Sequence, residues 1–144
     1  MMKTLQIQIL LALALLTCAG LFAQSATKGQ LTIKVANIKS TEGKILVGLY
    51  DSEDNWLEKI YMGGTGLIAN GKSEIVLKNI PFGTYAVSLF HDENDNNKLD
   101  MRFGFFPKEP NACSNQAPAV FGPPRWKDAK FTLKATTKTI IIKL

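Results

Sequence analysis

The chain has 144 residues and carries 17 Lys and Arg against 12 Asp and Glu, a formal net charge of +5. Because the lysines are spread along the sequence and do not cluster with aromatic residues, this charge indicates a solvated surface and excludes a nucleic-acid footprint. Of the two cysteines, Cys18 and Cys113, only Cys113 lies outside the apolar amino-terminal segment, which excludes a fold held by an internal disulfide.

Residues 1–23 have the layout of a secretory signal peptide. Lys3 supplies a positive charge, an apolar run follows from Ile7 to Leu16, and the small residue Ala23 is our predicted cleavage position. The apolar run is too short to span a bilayer. We therefore predict an exported protein, periplasmic or extracellular, that is not a transmembrane protein once this segment is removed.

The signal segment is not expected to leave a lipid anchor. A lipoprotein would carry its lipid on Cys18, but the preceding Thr17 is bulkier than the small residue that usually stands there. The remaining residues, 24–144, are enough for one domain with a single core and too few for two.

Apolar residues alternate with period two along the predicted domain, which is the pattern of half-buried strands. Turn signals such as Asn70-Gly71 separate the runs. This arrangement predicts an all-β fold, a single Greek-key β-sandwich. The predicted strands are Leu31–Val35, Ile45–Tyr50, Ile75–Lys78, Tyr85–Phe90, Phe131–Leu133 and Ile140–Ile142.

Two segments between these runs are harder to assign. Trp56–Tyr61, which follows the polar run Ser52–Asn55, fits either a short helix or a further strand. Gly63–Gly66 lacks the lysine-serine ending of a phosphate-binding loop, so we predict a flexible hairpin connection there.

Oxygen-bearing side chains follow the strand Tyr85–Phe90. They occupy positions one, three, five and nine of a loop counted from Asp92. A hard cation such as Ca²⁺ takes about six to eight oxygen ligands, and carboxylates and amides at alternate positions of a tight loop supply them. We therefore predict a calcium-stabilised loop with calcium as its cofactor. The predicted metal-binding residues are Asp92, Asn94, Asn96, Lys98 and Asp100.

This loop is not an EF-hand of the usual form, because its twelfth position is Phe103 where a bidentate Glu is needed. A shorter calcium loop would recruit a further carboxylate, and Glu93, Asp95 and Glu109 are the nearest candidates. The alternatives are a different ion, or a metal-free loop in which Asp and Asn build Asx-turns.

The stretch from about 91 to 127 is rich in proline and has little alternation, which is unusual for a connection in a compact domain. Its aromatic content argues against disorder. We predict an ordered excursion that begins at the Asp/Asn loop and folds back onto the sandwich by aromatic packing. Phe121 and Trp126 are expected in the core, although an aromatic surface for a sugar or a peptide is an alternative. The aromatic residues are Phe103, Phe105, Phe106, Phe121 and Trp126.

His91 is the only histidine in the chain, and no Cys/His cluster surrounds it in the sequence. We predict a structural histidine whose ring bonds the backbone of the Asp/Asn loop. The alternative is a small hydrolase in the long loop, with His91, Asp92 and Cys113 at its site, because a thiolate nucleophile needs an activating base at hydrogen-bond distance.

Several motifs of the chain resemble a known family. Ile80–Val87 resembles the strand-turn-strand segment of transthyretin-like and collagen-adhesin B-type sandwiches, and the Asp/Asn loop is similar to calcium loops in adhesin repeats, with Asn97 where those carry Gly. Nearly the whole of residues 24–144 resembles the bacterial domain-of-unknown-function family 2141. The motifs are Ile80–Val87, His91–Asn94, Lys98–Asp100, Ser114-Asn115, Phe121–Pro124 and Asp128–Phe131.

The resemblance implies a small secreted β-sandwich without an assigned activity. Together with the predicted loop, it favours a non-enzymatic binding or structural module of the cell exterior. The expected partner is a cell-envelope protein or a glycan, and no enzymatic activity is predicted in this interpretation.

Overall fold

The computed structural model describes residues 27–144, so the predicted signal peptide of residues 1–23 lies outside the described part of the chain. No helix within 27–144 is both long enough and apolar enough to cross a membrane. The described strands are β1 (Lys28–Ala36), β2 (Lys44–Tyr50), β3 (Met62–Gly66), β4 (Ser73–Pro81), β5 (Gly83–Asp92), β6 (Met101–Arg102), β7 (Phe106–Pro107), β8 (Asn111–Cys113), β9 (Phe131–Leu133) and β10 (Thr137–Lys143). A 3₁₀ helix at Ser114–Gln116 and the helix α1 (Trp126–Ala129) complete them.

The strands form two main sheets and one small one. The first sheet has the order β10-β1-β4, with β1 and β10 parallel. The second has the order β3-β2-β5-β8, and β9 also pairs with β5. Strands β6 and β7 pair with each other. The predicted all-β class is confirmed, and the two main sheets are consistent with a β-sandwich, whereas the Greek-key connections stay a prediction.

The two main sheets pack through the alternating side chains that the period-two pattern predicted. Each aliphatic side chain buried in this way stabilises the fold by about 1.5–3 kcal/mol relative to leaving it exposed. The buried residues of this core are Leu31, Ile33, Val35, Ile38, Ile45, Val47, Leu49, Ile75, Leu77, Ile80, Tyr85, Val87, Leu89, Leu133 and Ile142.

The opposite face of the second sheet is also covered, by residues of the predicted excursion. Tyr50 and Ala86 share this face, and Trp126 and Ala129 of α1 pack with them. Trp56 packs edge-on against Tyr50, with ring centroids 5.0 Å apart, and donates its indole N–H to the carbonyl of Pro124 at 2.6 Å. Strand β5 is therefore buried on both faces, and Trp126 occupies the core position expected of it.

The structure corrects the prediction for one segment and decides the assignment of another that the sequence left open. Gly63–Gly66, predicted as a flexible connection, forms most of β3 and pairs with β2. A Cβ at Gly64 or Gly66 would press on side chains of β4, so these glycines permit close packing between the sheets. The segment Trp56–Tyr61 is neither a helix nor a strand, and its first residues run through turns closed by the carbonyls of Glu53 and Asn55.

One serine joins the excursion to the edge of β5. Strands β8 and β9 pair with different parts of that edge, and Val87 lies between the two pairings. The buried Ser114 hydroxyl accepts the Val87 N–H at 2.9 Å and donates to the Ala129 carbonyl at 2.6 Å. A side chain therefore supplies the hydrogen bonds that a continuous strand would otherwise make.

We expect Ser114→Ala to lower the free energy of unfolding by about 1–3 kcal/mol, because it leaves the buried Val87 N–H without its partner. Ser73→Ala is the matched control. The Ser73 hydroxyl is buried and has no hydrogen-bond partner among the described residues, so its removal should be neutral or stabilising. Denaturant unfolding measures both variants, and equal destabilisation of the two would contradict this account.

Candidate functional site

Strand β5 ends in a carboxylate that is removed from water. Asp92 is 0% exposed. Its Oδ1 accepts the N–H of Asn96 at 3.0 Å and its Oδ2 accepts the N–H of Asn97 at 2.9 Å. Burying a charge is costly unless it is hydrogen-bonded or paired, so these two bonds make the position tenable and bend the chain around the carboxylate.

Lysine supplies only part of the opposite charge. Lys44 is the strand partner of Asp92, and its Nζ lies 3.8 Å from Asp92 Oδ2. The same ammonium lies closer, at 2.9 Å, to the exposed carboxylate of Asp95. Asp92 therefore depends on backbone N–H donors more than on an ion pair.

The amide side chains of the loop have two kinds of contact. Asn94 Oδ1 accepts the Asn96 N–H at 3.2 Å, and Asn96 Oδ1 accepts the Lys98 N–H at 2.8 Å, which are the bonds of Asx-turns. Both amide nitrogens donate to the Asp100 carboxylate, at 2.8 Å from Asn94 and 3.1 Å from Asn96.

The structure therefore links the four oxygen-bearing side chains of the predicted set, whereas Lys98 joins them through its backbone N–H. Asn97, at the sixth position of the loop, has φ +61°. This is a left-handed conformation, which Asn tolerates better than most residues.

Glu109 closes the loop from outside it. Its side chain is 5% exposed, and the carboxylate accepts the N–H of Glu93 at 3.1 Å and of Asp100 at 3.0 Å. The Asp100 carbonyl in turn accepts the Lys108 N–H. Of the three further carboxylates suggested by the sequence, Glu109 is the one that is buried against the loop, whereas Glu93 and Asp95 are exposed.

These oxygens are of the kind that Ca²⁺ binds, since carboxylate and amide oxygens are hard donors. The side chains of the loop are, however, bonded to one another and to backbone N–H groups. Within residues 27–144, no three His, Cys, Asp or Glu side chains lie in a position to hold a metal ion. The donor types fit calcium, whereas the contacts present are those of Asx-turns and of amide-to-carboxylate hydrogen bonds.

The loop packs against the turn that precedes β2. His91 is buried, and its Nε2–H donates to the carbonyl of Glu42 at 2.6 Å. Gly43 has φ +70°, and a Cβ there would collide with the carbonyl of Asp92. The predicted hydrogen bond from the His91 ring to backbone is therefore present, but its acceptor lies in the turn before β2 and not in the Asp/Asn loop.

The structure does not bring Cys113 and His91 together. Cys113 pairs with Ser88 and faces the cluster of Tyr50 and Trp126, whereas His91 lies three residues further along β5 on the opposite face. Burial raises the pKa of the Cys113 thiol, and the hydrogen bond with Ser88 lowers it by less. A buried thiol with a raised pKa is a poor nucleophile.

Four of the five aromatic residues expected to fold back onto the sandwich do not. Phe103, Phe105 and Phe106 are 81%, 64% and 58% exposed, and Phe121 is fully exposed. The reason is topological, because β6 and β7 pair with each other and extend beyond the main sheets as a hairpin. Only Trp126 reaches the core, so the predicted packing of the excursion and the core position of Phe121 are wrong.

The hairpin also holds a strained residue. Phe103 has φ +56°, a conformation that costs a residue with a Cβ about 1–2 kcal/mol. The tip turn is closed by a 3.4 Å bond from the Phe105 N–H to the Arg102 carbonyl. Glycine or asparagine would fit this position with less strain.

We expect Glu109→Gln to lower the free energy of unfolding by about 2–3 kcal/mol, because an amide cannot accept both N–H groups that the carboxylate accepts. Glu58→Gln, at an exposed glutamate, is the control and should change stability by less than about 0.5 kcal/mol. Chemical denaturation of both variants checks this, and a Glu109→Gln protein as stable as the control would rule out the closing role of Glu109.

A family model described as an uncharacterized protein conserved in bacteria, DUF2141, matches residues 33–141. No significant match was found among curated proteins or among solved structures. The matched region runs from within β1 to within β10 and includes the whole Asp/Asn loop, which confirms the family resemblance seen in the motifs. The chain therefore belongs to the DUF2141 family of uncharacterized bacterial proteins.

Proposed function

We propose that this protein is an exported, non-enzymatic binding module in which a calcium-stabilised Asp/Asn loop holds a projecting segment toward a partner in the cell envelope. Export is inferred from residues 1–23 and calcium from the loop chemistry. The sequence favours an envelope protein or a glycan as the partner.

The observation that carries the proposal is the burial of two carboxylates at one loop. Asp92 and Glu109 are almost without solvent contact, and Asp100 lies between them in the hydrogen-bond network. Three negative groups therefore lie along one short segment, linked through hydrogen bonds and not clustered into a ready-made metal site within residues 27–144. Lys44, the cation nearest to Asp92, lies 3.8 Å from its Oδ2 and is shared with Asp95. Uncompensated charge at a buried site is unfavourable, so a bound cation would relieve it.

The loop residues have the capacity to contribute ligands without unfolding. The Asn94 and Asn96 oxygens each accept one N–H and keep a second lone pair. Each oxygen of Asp92 likewise accepts one N–H from the loop backbone. The Asp100 carboxylate would exchange its amide N–H donors for the ion. A bound Ca²⁺ would supply positive charge to these side-chain oxygens. The hydrogen bonds of the loop backbone would orient the oxygens toward the ion.

The loop is also placed to order the hairpin formed by β6 and β7. Asp100 directly precedes β6, and its backbone is bonded on one side to Glu109 and on the other to Lys108, which directly follows β7. Both strands of the hairpin thus begin or end at the loop. Stabilising the loop would therefore fix the base of the hairpin.

The hydrolase alternative has less support from the geometry. A thiol nucleophile requires a base within hydrogen-bond distance, and Cys113 and His91 lie on opposite faces of the second sheet. His91 already uses Nε2 in its bond to Glu42. We therefore favour the binding module.

We expect millimolar Ca²⁺ to raise the Tm relative to the protein in chelator, because a ligand of the native state stabilises it by mass action. At free calcium a hundredfold above Kd the gain is about 2.7 kcal/mol, a shift on the order of 10 °C. Asp100→Asn should abolish the shift by removing one carboxylate.

Asp54→Asn, at an exposed aspartate outside the loop, is the matched control and should retain the full calcium response. Magnesium at the same concentration tests whether the effect is specific. A wild-type protein with the same Tm in calcium and in chelator would refute the calcium component of the proposal.

A further inference from the structure

We propose that the hairpin Met101–Pro107 docks onto the surface of a lipid bilayer that contains anionic phospholipid, by inserting its phenylalanine rings between the headgroups. The inference replaces the envelope protein or glycan of the proposed function with the bilayer itself, and it rests on that proposal only for export and for the ordered base of the hairpin. It is tested by a measurement that does not depend on calcium binding.

The tip of the hairpin is a compact apolar projection. Phe105 and Phe106 pack side by side with ring centroids 4.5 Å apart, and both rings remain largely exposed. Phe103 is more exposed still, and a Cβ at Gly104 would meet no atom within 4 Å. Apolar side chains grouped in this way are characteristic of interaction sites.

The backbone conformation of Phe103 indicates that this residue does not contribute to the stability of the fold. Its side chain makes little contact with the protein, yet its positive φ is unfavourable for a bulky residue. Strain retained at an exposed position points to a role outside the folded chain. Phe103 is therefore a residue through which the hairpin contacts something else.

The charges around the tip select an anionic surface. Arg102 and Lys108 flank the aromatic residues and both side chains are exposed, whereas the adjoining acidic residues, the half-buried Asp100 and the buried Glu109, face the loop at the base of the hairpin. Basic residues beside a membrane are attracted to anionic headgroups, and phenylalanine is among the apolar residues that surface-binding segments bury at the headgroup boundary. The hairpin thus combines an apolar tip with a basic collar.

A bilayer fits this chemistry better than a glycan or a protein does. Phenylalanine has no hydrogen-bonding group, whereas the aromatic residues suited to sugars, Trp and Tyr, carry one. Specific protein interfaces add a rim of polar partners around a packed centre. The tip instead presents exposed rings with no polar group among them, which suits insertion at a membrane interface.

Vesicle co-sedimentation tests the proposal. The purified protein is mixed with vesicles of equal parts phosphatidylglycerol and phosphatidylcholine, or of phosphatidylcholine alone, in chelator and in millimolar calcium. We expect binding to the anionic vesicles, weakened at least about tenfold when Phe103, Phe105 and Phe106 are all replaced by Ser. Phe121→Ser, at an exposed phenylalanine outside the hairpin, is the matched control and should bind as the wild type does.

Replacing Phe103 alone separates binding from folding. Phe103→Asn removes the ring and suits the positive φ, so we expect an unchanged or higher Tm together with weaker vesicle binding.

Arg102→Gln with Lys108→Gln should also weaken binding to anionic vesicles about tenfold. The control pair Lys78→Gln with Lys134→Gln, at exposed lysines of the sandwich, should have a smaller effect.

Vesicle binding that is absent in both calcium and chelator, or that survives the triple substitution, would overturn the inference. A protein that sediments as a dimer, becomes a monomer on triple substitution and ignores vesicles would show that the tip binds a second copy instead. A calcium-dependent Tm without vesicle binding would leave the proposed calcium loop intact and reject the bilayer.

Discussion

Strand β5 places the carboxylate of Asp92 out of contact with water. The residues that follow it in the chain supply the hydrogen bonds that this buried carboxylate requires. Its two oxygens accept consecutive N–H groups, which forces Asn97 into a left-handed conformation. The carboxylate of Glu109 likewise accepts the N–H groups of Glu93 and Asp100, near the two ends of the loop. A surface turn is thereby converted into a hydrogen-bonded unit whose stability depends on buried charge.

This unit explains how a small sandwich supports a long excursion. The chain leaves the second sheet at Asp92, forms the hairpin, and returns through β8 to cover the outer face of the sheet. Ser114 and Trp126 hold the returning part, whereas the loop holds the departing part. The hairpin between them has its own strand pairing and little contact with the core, which leaves its aromatic tip free.

The sequence predicted the parts of the fold that follow a simple period. Strands such as Leu31–Val35 were evident because one face of each is buried. It did not predict that Gly63–Gly66 forms a strand, since the need for glycine arises from the neighbouring sheet and not from local propensity. The exposed aromatics were wrongly placed for a related reason. Hydrophobicity predicts burial on average and does not reveal that Phe103 lies at the tip of a separate hairpin.

At the candidate site, the spacing of Asp92, Asn94, Asn96 and Asp100 indicated that these residues share one loop, and hydrogen bonds among their side chains and backbone connect them there. The role of Glu109 was harder to single out, since it lies beyond the hairpin and three carboxylates were equally plausible.

Amide hydrogen exchange by NMR in calcium-free buffer tests most directly whether buried carboxylates organise the loop. We expect slow exchange at the four amides bonded to Asp92 and Glu109, those of Glu93, Asn96, Asn97 and Asp100. Exchange of these amides at the rates of an unstructured peptide would contradict that organisation.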